Sequence, residues 1–340
     1  MKTTVLEIRT SPHLHAPRSV DMIMRNVVYA LLPLCAYSVW LFGISALALL
    51  VVSLAACVLT EHIGCKLTHR ESSINDFSAV ITGLLLGLTL PPGLPLWMAA
   101  VGGIIAVAPT KLIFGGLGFN VFNPALVARA FLQAAFPVAI TTYRPPYGPN
   151  RFAAFIPSSL AWPLMKAPAD ALSGATPLMQ QKFDHITAAI QPLFVGDRAG
   201  SAGETSIILI LLCGLYLIAR KMMDWRIPAA MLGSAALFGG LFHLTDAAKY
   251  PNPIFVLCSG GLMLGAMFMA TDPVGSPVTP AGVWIYGAFM GLITVLIRFK
   301  GGLPEGVMYA ILLGNAVSPL IDNLTQPRIY GERKKAEARA

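Results

Sequence analysis

The chain has few charged residues and no local pattern of metal ligands. Only 12% of its 340 residues are charged, whereas soluble globular proteins carry about 25%. Its five cysteines form no Cys-x-x-Cys pair, so there is no local framework for zinc or an iron–sulfur cluster. A glycine-rich nucleotide fingerprint is also missing. We therefore predict no metal site, no catalytic residues and no unaided nucleotide binding.

Apolar residues dominate what is present. They make up 56% of the chain, and the mean hydropathy is +0.68, which predicts a membrane protein with several spans. The net charge of +8 could suggest nucleic-acid binding. However, the basic residues are scattered at the ends of apolar runs, so membrane topology explains them better and no nucleic-acid partner is expected.

The hydropathy pattern predicts an all-α polytopic membrane protein with about ten transmembrane helices in two inverted five-helix repeats. No small-residue cleavage site follows the first run, which we therefore expect to be retained. The predicted runs are 26–43, 44–65, 76–91, 94–114, 119–140, 205–223, 227–244, 252–271, 280–299 and 303–322. The predicted segments are a cytoplasmic amino-terminal segment 1–25, a first repeat 26–140, an extracytoplasmic loop 141–204, a second repeat 205–322 and a basic cytoplasmic tail 323–340.

Basic residues next to short loops predict the orientation, because such residues favour the cytoplasmic side. If every run spans, one side receives the amino terminus, Lys66 and Arg70, Lys111, the Arg220, Lys221 and Arg226 cluster, and the tail. Arg298 and Lys300 fall on the opposite side and do not fit this rule. Both termini are predicted to be cytoplasmic and residues 141–204 to lie outside.

Two sequence echoes support the division into repeats. Gly-Leu-Leu-Leu-Gly at 83–87 returns as Gly-Leu-Met-Leu-Gly at 261–265, and the segment 120–126 is echoed by 315–321. Inverted repeats with interrupted helices point to a midplane site for a solute, ion or cofactor. The glycines also have a purely structural explanation, since they let membrane helices approach closely.

Polar residues at these interruptions are the candidates for such a midplane site. Asn120, Asn123 and Arg129 surround an Asn-Pro break, where a freed carbonyl needs a partner and a buried charge is costly. Alternatively, Arg129 extends to the membrane interface. Asp272 is either a contact to an ion or cofactor or a turn residue, and Asn315 is the counterpart in the second repeat.

The loop 141–204 contains a small-residue stretch around Thr176. Ser173 and Gly174 favour a turn that presents this hydroxyl, and Asp170 can accept hydrogen bonds from backbone amides. A threonine hydroxyl is a weak nucleophile without an activating base. Local chemistry leaves two explanations open, an ordinary turn or a modified Thr176.

A family resemblance favours modification. Asp170, Ser173, Gly174, Ala175 and Thr176 form Asp-x-x-Ser-Gly-Ala-Thr, which resembles the motif where a flavin transferase joins FMN to threonine through a phosphodiester. The whole chain resembles the NqrB/RnfD family, above all the RnfD (RsxD) subunits of the Rnf ion-translocating electron-transport complex. The matching regions are 11–15, 118–126 and 173–178.

The resemblance implies FMN covalently bound at Thr176, outside the cytoplasm in a bacterial inner membrane. It also implies a second, noncovalent flavin, riboflavin, for which the candidates are Asn120 and Asn123 with Asp272 or Asn315. Expected partners are iron–sulfur and second flavin subunits, a flavin transferase and the lipid bilayer.

The implied function is electron transfer between NADH and ferredoxin, coupled to proton or sodium translocation, by a complex in which this chain has no complete activity alone. One alternative is an NqrB-like subunit of a sodium-pumping NADH:quinone oxidoreductase, although the short polar segment before the first run favours the Rnf type. An alternative of another class is a flavin-free inverted-repeat channel or transporter.

Overall fold

The computed structural model describes residues 19–69, 73, 76–163, 165, 174–204, 206–247 and 249–327. These residues form α-helices and connecting turns without β-strands. The helices before the central loop are α1 Val20–Phe42, α2 Ile44–Leu67, α3 Ser78–Thr89, α4 Leu96–Val107, α5 Pro124–Ala135 and α6 Pro137–Thr141. Within the loop lie α7 Pro177–Met179 and α8 Ile190–Val195, followed by α9 Ile207–Ala219, α10 Arg226–Thr245, α11 Pro253–Cys258, α12 Leu262–Leu264, α13 Pro280–Lys300 and α14 Val307–Thr325.

The predicted all-α polytopic membrane fold is confirmed. Among the described residues, five helices are long and apolar enough to cross a membrane, namely α1, α2, α10, α13 and α14. The other predicted runs contain shorter or interrupted apolar helices, with π-helical turns at Ala108–Leu112 after α4 and Gly265–Met269 after α12. Such interruptions are tolerated in a membrane where other protein groups surround the freed backbone.

Helix packing repeats in the two halves. The most extensive contacts join α2 to α4 in the first half and α10 to α13 in the second. Glycine makes both contacts close: a Cβ on Gly103 of α4 would lie 2.6 Å from the Ala56 Cβ, and one on Gly287 of α13 would lie 2.6 Å from the Ala230 Cβ. Small residues therefore set the helix spacing in both halves.

Local structure differs from the sequence prediction in two runs. The run 119–140 begins its helix only at Pro124 and is interrupted at Phe136, before α6. The run 252–271 is split between α11 and α12, where Gly260 has a φ of 62° that favours glycine. The echo of 120–126 is not repeated in helical structure, because Asn123 caps the start of α5 whereas Pro319 lies inside α14.

The central loop is packed against the helices at several points. The Ile44 nitrogen donates to the Arg151 oxygen at 2.8 Å, and the Gly203 nitrogen donates to the Leu88 oxygen at 2.7 Å. The Gly174 nitrogen donates to the Tyr143 oxygen at 2.9 Å. The first two bonds fix the loop relative to the first repeat, and the third joins two parts of the loop itself.

Candidate functional site

Two cavities lie at opposite ends of the helical bundle. The Thr176 cavity is lined by the motif threonine with residues of α5, the loop before α9 and the loop before α14, including Arg129, Arg198, Glu204 and Glu305. The Asn123 cavity is lined by the start of α5, the end of α9 and the segment after α12. Asn123 and Arg129, which line one cavity each, lie six residues apart at and along α5, which corresponds to a rise of about 9 Å.

Thr176 lies at the start of α7. Its side chain is half-buried, and its Oγ1 accepts a hydrogen bond from the Met179 nitrogen at 3.2 Å. Pro177 and Leu178 are buried behind it, whereas Ala175 is exposed. The hydroxyl is therefore held at the edge of the protein, within reach of another molecule. Asp170 and Ser173, the other polar residues of the predicted motif, lie outside the described residues.

The segment after Thr176 is anchored on the second repeat by its polar side chains. Lys182 Nζ donates to the carbonyl oxygens of Arg298, Gly301 and Leu303 at 3.0, 2.6 and 2.7 Å. Gln181 Nε2 donates to the Lys249 oxygen at 3.1 Å. Together with the bond from Gly174 to Tyr143, these contacts hold the motif between the two repeats.

Arg129 forms the central charged contact of the Thr176 cavity. Its Nη1 lies 2.9 Å from Glu204 Oε1 and its Nη2 lies 2.7 Å from Glu305 Oε2. The side chains of Arg129, Glu204 and Glu305 are 8, 5 and 24% exposed. Arg129 therefore does not extend to the interface. It joins α5 of the first repeat to the end of the central loop at Glu204 and to the loop before α14 at Glu305.

The two carboxyl groups have different protonation preferences. Burial, together with the negative charge of Glu305, raises the pKa of Glu204 to about 7 despite its contact with Arg129. Burial also acts to raise the pKa of Glu305, but Arg129, the backbone N–H of Gly261 and Arg298 lower it further, so the net shift is downward. Glu204 therefore titrates near neutral pH, whereas Glu305 stays ionised.

Two further arginines sit behind this pair. Arg198 donates from Nη1 to the backbone carbonyl oxygen of Cys258 at 2.7 Å and from Nη2 to the backbone carbonyl oxygen of Glu204 at 2.5 Å. Arg298 donates to the carbonyl oxygens of Val256 and Ser259 at 2.6 and 2.9 Å. Arg298 is 4% exposed, so its position at this end of α13, against the charge rule, reflects internal packing and not a cytoplasmic loop.

The Asn123 cavity gathers three of the predicted midplane residues. Asn120, Asn123 and Asp272 line a cavity of about 380 Å³ whose walls are mostly apolar. Asn123 Oδ1 caps α5 by accepting from the nitrogens of Ala125 and Leu126 at 3.1 and 3.4 Å, and its Nδ2 donates to the Met269 oxygen at 3.3 Å. Asp272 accepts from the Val274 nitrogen at 3.1 Å. It is therefore both a turn residue and a cavity residue.

The other two predicted midplane residues lie elsewhere. Arg129 lines the Thr176 cavity, because it is more than a turn further along α5 than Asn123. Asn315 does not line either cavity and instead donates to the Gly275 oxygen at 3.2 Å and to Tyr286 Oη at 3.1 Å. The five residues thus belong to three places in the fold.

A buried ion pair beside the Asn123 cavity was not predicted. Lys111 Nζ lies 2.6 Å from Glu61 Oε1, and their side chains are 3 and 0% exposed. Lys111 lines the cavity and also contacts the Ser78 hydroxyl. Both charges interrupt predicted apolar runs, and a charge at membrane depth is the signal that marks them. Glu305 interrupts the predicted run 303–322 and carries the same signal. Arg198 and Glu204 lie in the central loop, where no such signal exists.

The fold and the two cavities define a polytopic membrane protein that offers sites for small groups at both ends of one helical bundle. The chain belongs to the NQR2, RnfD, RnfE family, whose model matches residues 7–331. The family expected from the motifs is therefore confirmed.

Curated relatives match over nearly their whole length. The D component of the proton-translocating ferredoxin:NAD(+) oxidoreductase complex of Clostridium ljungdahlii is 41% identical, with 98% of each chain covered. The D component of the Na(+)-translocating ferredoxin:NAD(+) oxidoreductase complex of Acetobacterium woodii is 42% identical, again with 98% of each chain covered. The D component of the ion-translocating oxidoreductase complex of Halorhodospira halophila is 37% identical over 96% of each chain.

Arg129→Met tests the buried charge cluster. Removing one partner from a buried ion pair costs about 3–5 kcal/mol, so the apparent Tm of the detergent-solubilised chain should fall markedly at about pH 8. A carboxyl whose pKa is raised by folding stabilises the fold at low pH and loses that contribution as pH rises through the folded pKa. Without Arg129 the pKa values of Glu204 and Glu305 rise, so the Tm deficit should shrink at about pH 5.5.

Gln133→Met is the matched control, because Gln133 lies on the same helix and lines the same cavity without a charge. It should change the apparent Tm little at either pH. An Arg129→Met deficit that is the same at both pH values would contradict the assignment of the carboxyl groups.

Proposed function

We propose that this chain is the RnfD-type subunit of an Rnf complex that transfers electrons between NADH and ferredoxin and couples the transfer to proton or sodium movement. Full-length relatives carry names of this kind, and the chain has the fold and the motif that the proposal needs. Partner subunits with iron–sulfur and flavin groups supply the remaining steps. The names of the full-length relatives favour this proposal over an NqrB-like quinone-reducing subunit.

In this proposal Thr176 carries FMN through a phosphodiester. The observation that carries it is the position of the hydroxyl, half-buried on an anchored segment with exposed Ala175 beside it. Its oxygen has one hydrogen bond from Met179, which leaves room for a bond to phosphorus. The adjoining cavity of about 50 Å³ is far smaller than the 300–1,000 Å³ typical of cofactor pockets, so the flavin ring lies outside it.

In this proposal an external flavin transferase carries out the attachment, because the hydrogen bond that Thr176 Oγ1 makes within the described residues comes from the Met179 nitrogen, which cannot act as a base. Thr176 Oγ1 bonds to the FMN phosphorus of a flavin dinucleotide, the bond from that phosphorus to the leaving nucleotide breaks, and the hydroxyl proton passes to a base of the transferase. No electrons change hands. Once bound, a flavin supplies one- and two-electron redox chemistry, and this chain supplies its position.

A second flavin, riboflavin, binds noncovalently in the Asn123 cavity. The volume of about 380 Å³ falls in the range of small-molecule sites. The apolar walls suit a flavin ring, and the amide and carboxyl groups of Asn120, Asn123 and Asp272 suit its hydrogen-bonding edge or its ribityl hydroxyls. Lys111 also lies at the wall, where Glu61 balances its charge.

The proposed location is a bacterial inner membrane, with both termini in the cytoplasm and residues 141–204 in the periplasm. The distribution of basic residues favours this orientation. Arg298 and Lys300 did not fit the charge rule, and the internal hydrogen bonds of Arg298 explain the first of them. The Thr176 cavity then faces the periplasm and the Asn123 cavity the cytoplasm.

Thr176→Ala should abolish covalent flavin. In a host that has the flavin transferase, the wild-type chain should give a fluorescent band under ultraviolet light after denaturing electrophoresis, near the chain mass of 36.2 kDa. The variant should give an equal amount of protein without fluorescence, because the only proposed acceptor oxygen is gone.

Thr141→Ala is the control, since Thr141 lines the same cavity outside the motif, and it should keep the band. A wild-type chain that does not fluoresce would refute covalent FMN and favour a flavin-free channel or transporter.

Asn123→Asp should reduce noncovalent flavin. The substitution keeps an oxygen that can cap α5 but removes the amide donor that faces Met269 and the cavity, and it adds a negative charge. The flavin released by acid from the purified chain should fall several-fold, as measured by chromatography, while the Thr176-linked band is unchanged.

The matched control is Asn252→Asp, because Asn252 caps α11 in the same way by accepting from the Ile254 nitrogen and does not line the cavity. Equal released flavin in Asn123→Asp and the wild-type chain would rule out the assignment of the second flavin to this cavity.

A further inference from the structure

The Thr176 cavity has the size of a small polar group. Its volume of about 50 Å³ gives room for a few water-sized groups. Gly260 lets three side chains approach the backbone closely: a Cβ at this position would lie 2.5 Å from Leu178 Cδ1, 2.8 Å from Glu305 Oε1 and 3.1 Å from Arg298 Nη2. A Cβ on Gly174 would lie 3.0 Å from the Ala199 Cβ. The motif thus packs directly on the loop that carries Arg198.

The charge around the cavity is unevenly neutralised. Arg129 uses its guanidinium nitrogens on the carboxylates of Glu204 and Glu305. Arg198, which also lines the cavity, makes its hydrogen bonds to backbone carbonyl oxygens and no ion pair among the described residues. Arg198 is only 7% exposed, so water does not screen its charge effectively either.

Arg298 adds a second such charge behind Gly260. It is 4% exposed, bonds only to carbonyl oxygens in the described part of the chain, and its Nε has no hydrogen-bond partner there. The cavity lining therefore holds two guanidinium and two carboxyl groups, and Arg298 adds a third guanidinium group behind Gly260. A buried excess of positive charge is costly unless an anion compensates it.

We propose that the Thr176 cavity is a phosphodiester site, in which Arg198 and Arg298 compensate the negative charge of the phosphate that links Thr176 to FMN. The inference rests on the proposed covalent FMN and goes beyond it by assigning the groups that hold the phosphate. The two unesterified phosphate oxygens lie in the cavity, and the flavin ring lies outside, open to partner subunits.

This arrangement explains why a threonine at the edge of the protein is backed by buried arginines. A phosphate that is held between Arg198 and the Gly260 turn restricts the flexible link between threonine and ring. Charge-assisted hydrogen bonds of guanidinium groups to phosphate are short and directional. The cavity therefore acts as a positioning site for the carrier, and Arg198 is a positioning residue that does not itself touch the ring.

Phosphorus NMR on the flavinylated full chain tests the proposal. The diester resonance is recorded while a neutral, water-soluble gadolinium chelate is added, and the flavinylated peptide cut from the same protein serves as the exposed reference. The chelate should broaden the resonance of the intact chain several-fold less than that of the peptide. Iodide should still quench the fluorescence of the ring. Equal broadening in chain and peptide would overturn the inference.

Variants separate charge from general folding. Arg198→Gln should bring the broadening close to that of the peptide, while Arg198→Lys, which keeps the positive charge, should retain most of the protection. Arg151→Gln is the control, because Arg151 lies on the central loop but does not line the cavity. Each variant is compared at equal fluorescence per chain and with an unchanged gel-filtration profile.

The two proposals fail in different ways. A chain without the fluorescent band and without a diester resonance refutes covalent FMN itself. A fluorescent chain whose phosphorus is as accessible as in the peptide, or whose protection does not depend on Arg198, refutes only the phosphate site.

Discussion

The buried contact of Arg129 with Glu204 and Glu305 is the constraint on which the outer end of the molecule depends. A guanidinium group inside a membrane protein is stable only with partners. One partner, Glu204, ends the central loop, and the other, Glu305, lies in a loop of the second repeat. The same three side chains line the cavity next to Thr176. A change in the packing of either repeat would therefore move the Arg129 ion pairs, and with them the lining of the Thr176 cavity. The position of the threonine thus depends on the contact between the repeats.

One interrupted segment connects this end to the other. The turn at Gly260 and Gly261 contacts Glu305 and Glu204, and the chain then continues through α12 to Asp272 at the Asn123 cavity. The bend at Gly260 lets backbone groups serve Arg198 and Arg298, which a continuous helix would not allow. In the proposed function this segment would set the spacing of the two flavins, while the flavins supply the redox chemistry and partner subunits exchange the electrons.

Sequence alone predicted the membrane class and the family, which are confirmed, while the division into two repeats and the candidate threonine stay predictions. These features are local: apolar runs report helices, and the motif lies within seven consecutive residues. The partners of Arg129 are 75 and 176 residues away in the chain, and no local pattern indicates such a pairing. Asn315 lies away from the Asn123 cavity for a local reason. Proline starts α5 but is accommodated inside α14, so similar letters occupy different local structures.

The central claim is that the two sites lie on opposite faces of the membrane, with the threonine outside. Exposed Ala175 and Asp224 lie at the two ends of the bundle, beside Thr176 and at the Asn123 cavity, and each can be changed to cysteine in turn. The wild-type chain gives the background, since its cysteines are buried or half-buried. A membrane-impermeant maleimide added to spheroplasts should label the variant at position 175 and leave the variant at position 224 unlabelled until the membrane is permeabilised. Labelling of both variants in sealed spheroplasts, or of position 224 alone, would contradict the account.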